Sequence, residues 1–186
     1  MISKSDPWYV HAALYAVILI LVIILVKVAI IDPNKIVQKE NYYRTESRLR
    51  MKNIREGEIL YYKKHNMYIG NLESLVNFIK TSPIVDSAMA SQDTITHKSS
   101  NPFIKLSSGS FSPDSLLWSP KFHKPYMLEV DTSISADTVV NRFGRIIKID
   151  STKKIGTKYY LEDPDGYGSV GSLTNDALKN TSSWEQ

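Results

Sequence analysis

Residues 12–26 read AALYAVILILVIILV, fifteen positions without a charge. Extended to 9–31, the run covers 23 residues interrupted only by His11 and Lys27. The hydrocarbon core of a bilayer takes roughly 20 apolar helical residues, so this length spans it with some tilt. A cleavable secretory signal has an apolar core of about 7–15 residues followed by a small-x-small site. Here the run is longer and ends KVAIIDP (27–33), without such a site, and it reads as an uncleaved signal anchor. Trp8, Tyr9 and Tyr15 sit at or near one end of the span as interfacial aromatics, and Lys27 snorkels to the other interface.

Beyond the anchor the 186 residues leave room for one small domain. Cysteine is absent, which excludes a disulfide framework and a thiolate zinc site. The net charge of +4 is local: residues 32–66 hold nine Lys/Arg against five Asp/Glu, and the remainder is balanced. A basic balance confined to one segment is not a nucleic-acid footprint, and no nucleic-acid partner is expected. Lys27, Lys35, Lys39, Arg44 and Arg48 follow the span, so charge bias alone puts the C-terminal flank in the cytoplasm. Large domains translocate largely regardless of such charge, which leaves the orientation open.

A polar tail occupies 1–8 and the membrane helix 9–31. Asp32-Pro33-Asn34 then reads as an N-cap with proline in the first turn. The helix it opens is expected to run over 32–66 as an amphipathic, basic stalk. Ile36, Glu40, Tyr43, Ser47, Met51, Ile54, Glu58 and Tyr61 recur at intervals of three or four. Ile36, Tyr43, Met51, Ile54 and Tyr61 form the apolar stripe for packing. Arg44, Arg48, Lys52 and Arg55 line another face, for contact with a partner, with anionic lipid or with internal glutamates. Gly57 weakens the case for an unbroken helix. Asn66 and Gly70 stop it, and Asn71 caps a short helix over 72–80.

The remaining head, 67–186, carries a Ser-rich loop at 82–124, in which 103–106 and 115–118 read as short strands. Residues 126–131, 138–143, 145–150 and 158–162 read as strands, with Gly144 as a bulge or bend. The solitary Trp184 predicts a tail folded back on the sheet. The fold class is therefore α+β: a membrane helix continuing into an amphipathic helix packed on a small antiparallel sheet.

Catalytic signatures are missing from this sequence. His11, His65, His97 and His123 have no helical ligand spacing, and catalytic zinc needs three converging ligands. Glu162, Asp163 and Asp165 beside Gly166 would suit calcium by donor type but lack the twelve-residue pattern, so a solvated turn is preferred. Gly-x-Ser-x-Gly and Gly-Lys-Ser/Thr motifs are absent. Gly166-Tyr-Gly168-Ser-Val-Gly171 matches Gly-x-Gly-x-x-Gly, but only 15 residues follow, too few for a dinucleotide-binding unit. No metal, cofactor or enzymatic activity is expected.

The order of these elements resembles type IV pilins and pseudopilins. An N-terminal membrane helix runs into ESRLRMKNIREGEILYY (46–62), then KHNMYIGNLESL (64–75) and a β-rich C-terminus. That family's prepilin-peptidase glycine and the glutamate within its apolar run have no counterpart here. The chain also resembles a group of bacterial single-pass envelope proteins with a Gly-Ser-Leu-Thr…Trp-Glu ending, here 171–185. The resemblance implies an inner-membrane subunit with a periplasmic head, partnered by the membrane and by other envelope subunits or itself, in a secretion or pilus-type machine. The alternative is a membrane-anchored module that binds a peptide or polysaccharide through its 82–124 loop.

Overall fold

The structure, a computed structural model, describes residues 7–92 and 99–185, without the side chains of 133–137, 140 and 148–154. Most of the polar tail, His97 and part of the Ser-rich loop lie outside the described residues. The chain divides into two compact units, Met1–Tyr43 and Arg44–Gln186.

The first unit holds α1 (Trp8–Val26), a π-helical turn (Lys27–Ile31) and the start of α2 (Asp32–His65). Among the described residues one helix is long and apolar enough to cross a membrane, by length and composition, and none of its most apolar window is buried in the protein. Asp32 does not form the expected N-cap: its φ of −68° and ψ of −44° are helical, and its N–H donates to Lys27 O. A π turn shifts the bonding register by one residue. Pro33, which has no N–H to give, falls where the register changes, so helical bonding passes it without a break. Ile36, expected to pack, is 67% exposed, because the burial of α2 begins only at Glu46.

The second unit is α+β. The rest of α2 is followed by α3 (Leu72–Thr81), α4 (Pro83–Met89) and a 3-10 turn (Pro113–Leu117). Three antiparallel strands then form a sheet in the order β1 (Met127–Val140), β2 (Ile146–Glu162), β3 (Ser169–Gly171). Asn71 caps α3 by accepting from Ser74 N–H at 2.8 Å. Pro83 both closes α3 and opens α4, since its fixed φ suits a first turn.

Leu128, Leu161 and Val170 lie abreast across the three strands, with Val130 opposite Tyr159 one step on. This face shares one core with Met51 and Ile54 of α2 and with Leu75, Val76 and Ile79 of α3. Each such side chain contributes about 1.5–3 kcal/mol on burial. Met51 and Ile54 are fully buried as expected, and Tyr61 packs half-buried against Phe78 at 5.0 Å between ring centroids. Tyr43 is half-buried and meets Tyr42 edge to face. Gly57 does not interrupt α2. A Cβ there would stand 2.7 Å from Ile79 Cδ1, so the missing side chain is what lets α3 approach.

Several loop and strand assignments change. Residues 103–106 are irregular, and 115–118 belong mostly to the 3-10 turn. The four expected strands are two long ones. Gly144 lies in the hairpin turn, where its N–H donates to Asn141 O. Two irregularities interrupt the ladder: one beside that turn, where Val139 pairs with Lys148 but Val140 with Ile146, and a larger one where Val130 pairs with Tyr159 but Thr132 with Ile155, leaving extra residues on β2. Asp131 closes that gap: its carboxylate accepts from Lys158 N–H at 2.7 Å and from the Thr157 hydroxyl at 2.5 Å.

Gly156 occupies the bulge with φ +69°, and Tyr68 N–H donates to its carbonyl at 2.7 Å. A Cβ there would lie 2.5 Å from Tyr68 O, a backbone atom that cannot swing aside. Gly156→Ala is therefore expected to cost about 2 kcal/mol or more, from left-handed strain plus the clash. Urea unfolding of the detergent-solubilised chain measures it, and an unchanged midpoint would contradict the assignment.

Candidate functional site

The four cations singled out from the sequence lie along α2, spaced three or four residues apart. Arg44 is exposed and, among the described residues, makes no ion pair. The other three hold the chain's own C-terminal tail. Arg48 Nε donates to Tyr167 O at 3.2 Å, and its guanidinium lies 5.1 Å from the centre of the Trp184 ring. Lys52 Nζ pairs with Glu185 at 2.6 Å, and Arg55 pairs with Glu56 at 3.1 Å and Glu185 at 3.7 Å.

The tail is set down by the sheet. Val170 bridges Ser182, Ser183 N–H donates to Ser169 O, and Ser169 N–H donates to the Ser183 hydroxyl, both at 2.9 Å. Trp184 thus folds back as expected, but it lands on the basic stripe of α2. A cleft of about 250 Å³ remains between Thr45, Arg48, Leu49, Lys52 and Trp184. The hydrogen bond from Lys52 and the nearby charges of Lys52 and Arg55 outweigh desolvation and hold the Glu185 carboxyl below its usual range. These pairs are partly exposed, so each contributes at most about 1 kcal/mol. Trp184, half-buried against the core, adds apolar contact and a cation–π stack.

Beneath the stripe, α2 buries Glu46, Ser47, Asn53 and Glu58. Glu46 accepts from Ser107 N–H at 3.0 Å and pairs with Arg50 at 3.2 Å. Burial opposes its ionisation, but the Ser107 hydrogen bond and the Arg50 charge outweigh it and keep the carboxyl low. The Asn53 amide donates to Ile104 O and accepts from Ile104 N–H, at 2.8 and 2.7 Å. Ser47 joins the Tyr126 hydroxyl and the Asp163 carboxylate, both at 2.9 Å. Spacing had placed Ser47 and Glu58 on the inner face; Glu46 and Asn53 carried no apolar signal and went unnoticed.

Asp163 is not a solvated turn residue. It is buried and accepts from Ser47, Asp165 N–H and Tyr167 N–H, so its oxygens are committed to shaping the turn. Asp165 accepts from Lys121 and Phe122 N–H at 3.3 and 3.4 Å. Among the described residues no three His, Cys, Asp or Glu side chains converge to hold a metal. His65 stacks on Tyr61 and His123 on Trp118, at 4.4 and 4.9 Å between ring centroids. The Gly166–Gly171 motif forms a turn leading into β3, with no helix opening on it. No protein-family model, curated protein or solved structure matches the chain.

Glu58 is the most perturbed acid. It is fully buried, one oxygen accepts from Ile69 N–H at 3.1 Å, and the other has no partner. Desolvation pushes its pKa up to about 8 against this single hydrogen bond. The folded state therefore holds a proton that the unfolded chain releases near pH 4.5. The contribution of this group is complete below about pH 4.5 and falls as pH rises to about 8, by roughly 1.4 kcal/mol per pH unit. Glu58→Gln should flatten that slope and raise stability at pH 8. Unfolding titrations of both chains at pH 5 and pH 8 test this, and equal slopes would refute it.

Proposed function

We propose that the chain is a non-enzymatic, single-pass membrane protein organised like a pseudopilin. Its anchor lies in the bacterial inner membrane and its α+β head, in the periplasm, is a subunit of an envelope assembly of the secretion or pilus type. One observation carries the reading. From Trp8 to Ile31 large apolar side chains are exposed around the whole helix, whereas the head gathers Met51, Ile54, Leu75, Ile79, Tyr159 and Leu161 into a buried core. Such a surface is tolerated in lipid or among other helices, not in water.

The head supports a structural role. Its polar interior is spent on holding loops, and Arg48, Lys52 and Arg55 on holding the tail. Of Arg44, Arg48, Lys52 and Arg55, Arg44 is exposed and, among the described residues, is the one that does not hold the tail, so it is the first candidate for a contact with another subunit or with lipid. Arg48, Lys52 and Arg55 remain partly exposed and could add to that contact without letting go of the tail. The positive residues after the span argue for a cytoplasmic head, and the architectural resemblance argues for a periplasmic one.

Two measurements separate these outcomes. The chain should stay in the membrane pellet after alkaline carbonate, and release into the supernatant would remove the anchor. A protease added to intact spheroplasts should cleave a C-terminal tag. Protection until lysis would make the protein a cytoplasmic scaffold. Arg44→Glu should weaken co-purification of envelope subunits by several-fold and leave the unfolding midpoint unchanged, because no ion pair within the chain is lost.

A further inference from the structure

Beyond the span of β3, the sheet continues as a two-stranded ribbon, because β3 pairs only with Tyr160, Leu161 and Glu162. The ribbon ends in a turn built by Asn141. Its N–H donates to Arg145 O at 2.9 Å, and its side-chain oxygen accepts from Phe143 and Arg145 N–H at 2.9 and 3.0 Å. This turn holds Phe143 outward at 74% exposure. Ile146, Ile147 and Val139 beside it are 62%, 66% and 45% exposed. Val139 pairs with Lys148 and Val140 with Ile146, which leaves Ile147 as the extra residue of a bulge. Ile146 faces the residue next to Val139, so Val139 and Ile146 stand on opposite faces of the pleat, and neither face is covered. Residues 138–149 include Arg142, Arg145 and Lys148 and no acidic residue.

We infer that this hairpin tip docks into the interface of an anionic bilayer, with Phe143, Ile146 and Ile147 among the acyl-chain boundary and Arg142 and Arg145 at the headgroups. Two features select lipid over a protein partner. A flat protein surface would cover one face of the ribbon and leave the other wet, whereas a fluid interface surrounds both. The tip's charge is of one sign and complements acidic headgroups, each basic residue being worth about 1 kcal/mol there. Arg142 also stacks on Phe143 at 4.9 Å, which keeps the cation and the inserting ring together. An isolated two-stranded ribbon is marginal in water, and the interface supplies the cover that a third strand would otherwise give. The inference rests on the anchored reading only for keeping a bilayer within reach.

The absence of cysteine permits clean labelling. The full chain carrying Phe143→Cys, modified with an environment-sensitive NBD dye that keeps an apolar ring at the tip, is reconstituted into phosphatidylcholine vesicles with or without phosphatidylglycerol. Ile24→Cys, labelled alike, reports the anchor. The tip dye should shift to the blue and be quenched by brominated lipid in the anionic vesicles. Raised salt should reverse this, and Arg142→Gln with Arg145→Gln should lower the inserted-to-free ratio on the order of tenfold. A tip dye that stays water-like while Ile24 is quenched overturns the proposal and leaves the anchor standing. An unquenched Ile24 removes the anchor instead. A blue shift that needs no anionic lipid and grows with protein concentration in detergent assigns the tip to a second copy and also overturns the proposal.

Discussion

The head depends on hydrogen bonds from buried polar side chains of α2 to backbone groups of segments that have no ladder of their own. Asn53 takes both backbone groups of Ile104, Glu46 takes Ser107 N–H, and Glu58 takes Ile69 N–H. A buried backbone amide without a partner costs about 1–3 kcal/mol, so an irregular chain can cross a core only where something answers it. Here the helix answers, side chain by side chain, and residues 100–126 are held in place with little regular structure. Ser47, bonded to Tyr126 and Asp163, ties the same helix to the start of β1 and the end of β2. Removing one of these groups would strand its partner as well, which makes α2 a template more than a strut.

This arrangement explains what was legible in the sequence. The apolar run, the α3 cap at Asn71, and Met51 and Ile54 follow from local rules, because hydrophobic periodicity and capping act within a few residues. The inner face of α2 was only half visible. It alternates Met51 and Ile54 with Glu46, Asn53 and Glu58, and a stripe defined by apolarity drops its polar members. Ile36 met the same spacing rule with nothing to pack against, since periodicity shows which side a residue faces and not whether that side is covered. The glycines are ambiguous for another reason. Gly144 and Gly156 look alike in sequence, yet the first makes a hairpin turn and the second a bulge, and the difference lies in Asp131 on the facing strand.

The basic stripe illustrates a further limit. Four cations at helical spacing look available, and three of them hold the tail through Trp184 and Glu185. The chain closes on itself over more than 130 residues of sequence separation, a pairing no local pattern encodes. It also orders the sheet edge, because the tail that reaches Lys52 first bridges Val170 of β3. The ion pairs are partly exposed and individually weak, so the clasp draws mainly on the Trp184 contact and the backbone bonds of Ser183.

Among the described residues, large apolar side chains stand exposed all round α1 and on both faces of the β1–β2 ribbon tip. The head otherwise builds a closed core, using polar side chains of α2 to hold irregular segments over it. Phe143, Ile146 and Ile147, at 74%, 62% and 66% exposure, lie on the part of the ribbon beyond β3, away from that core. Neither exposure is one-sided, as a surface made for a rigid protein partner would be. All-round apolar exposure is what a fluid apolar medium accommodates, and the unbalanced positive charge of 138–149 selects an acidic boundary to that medium. The two exposures, which differ in fold and in sequence, thus point to the same surroundings.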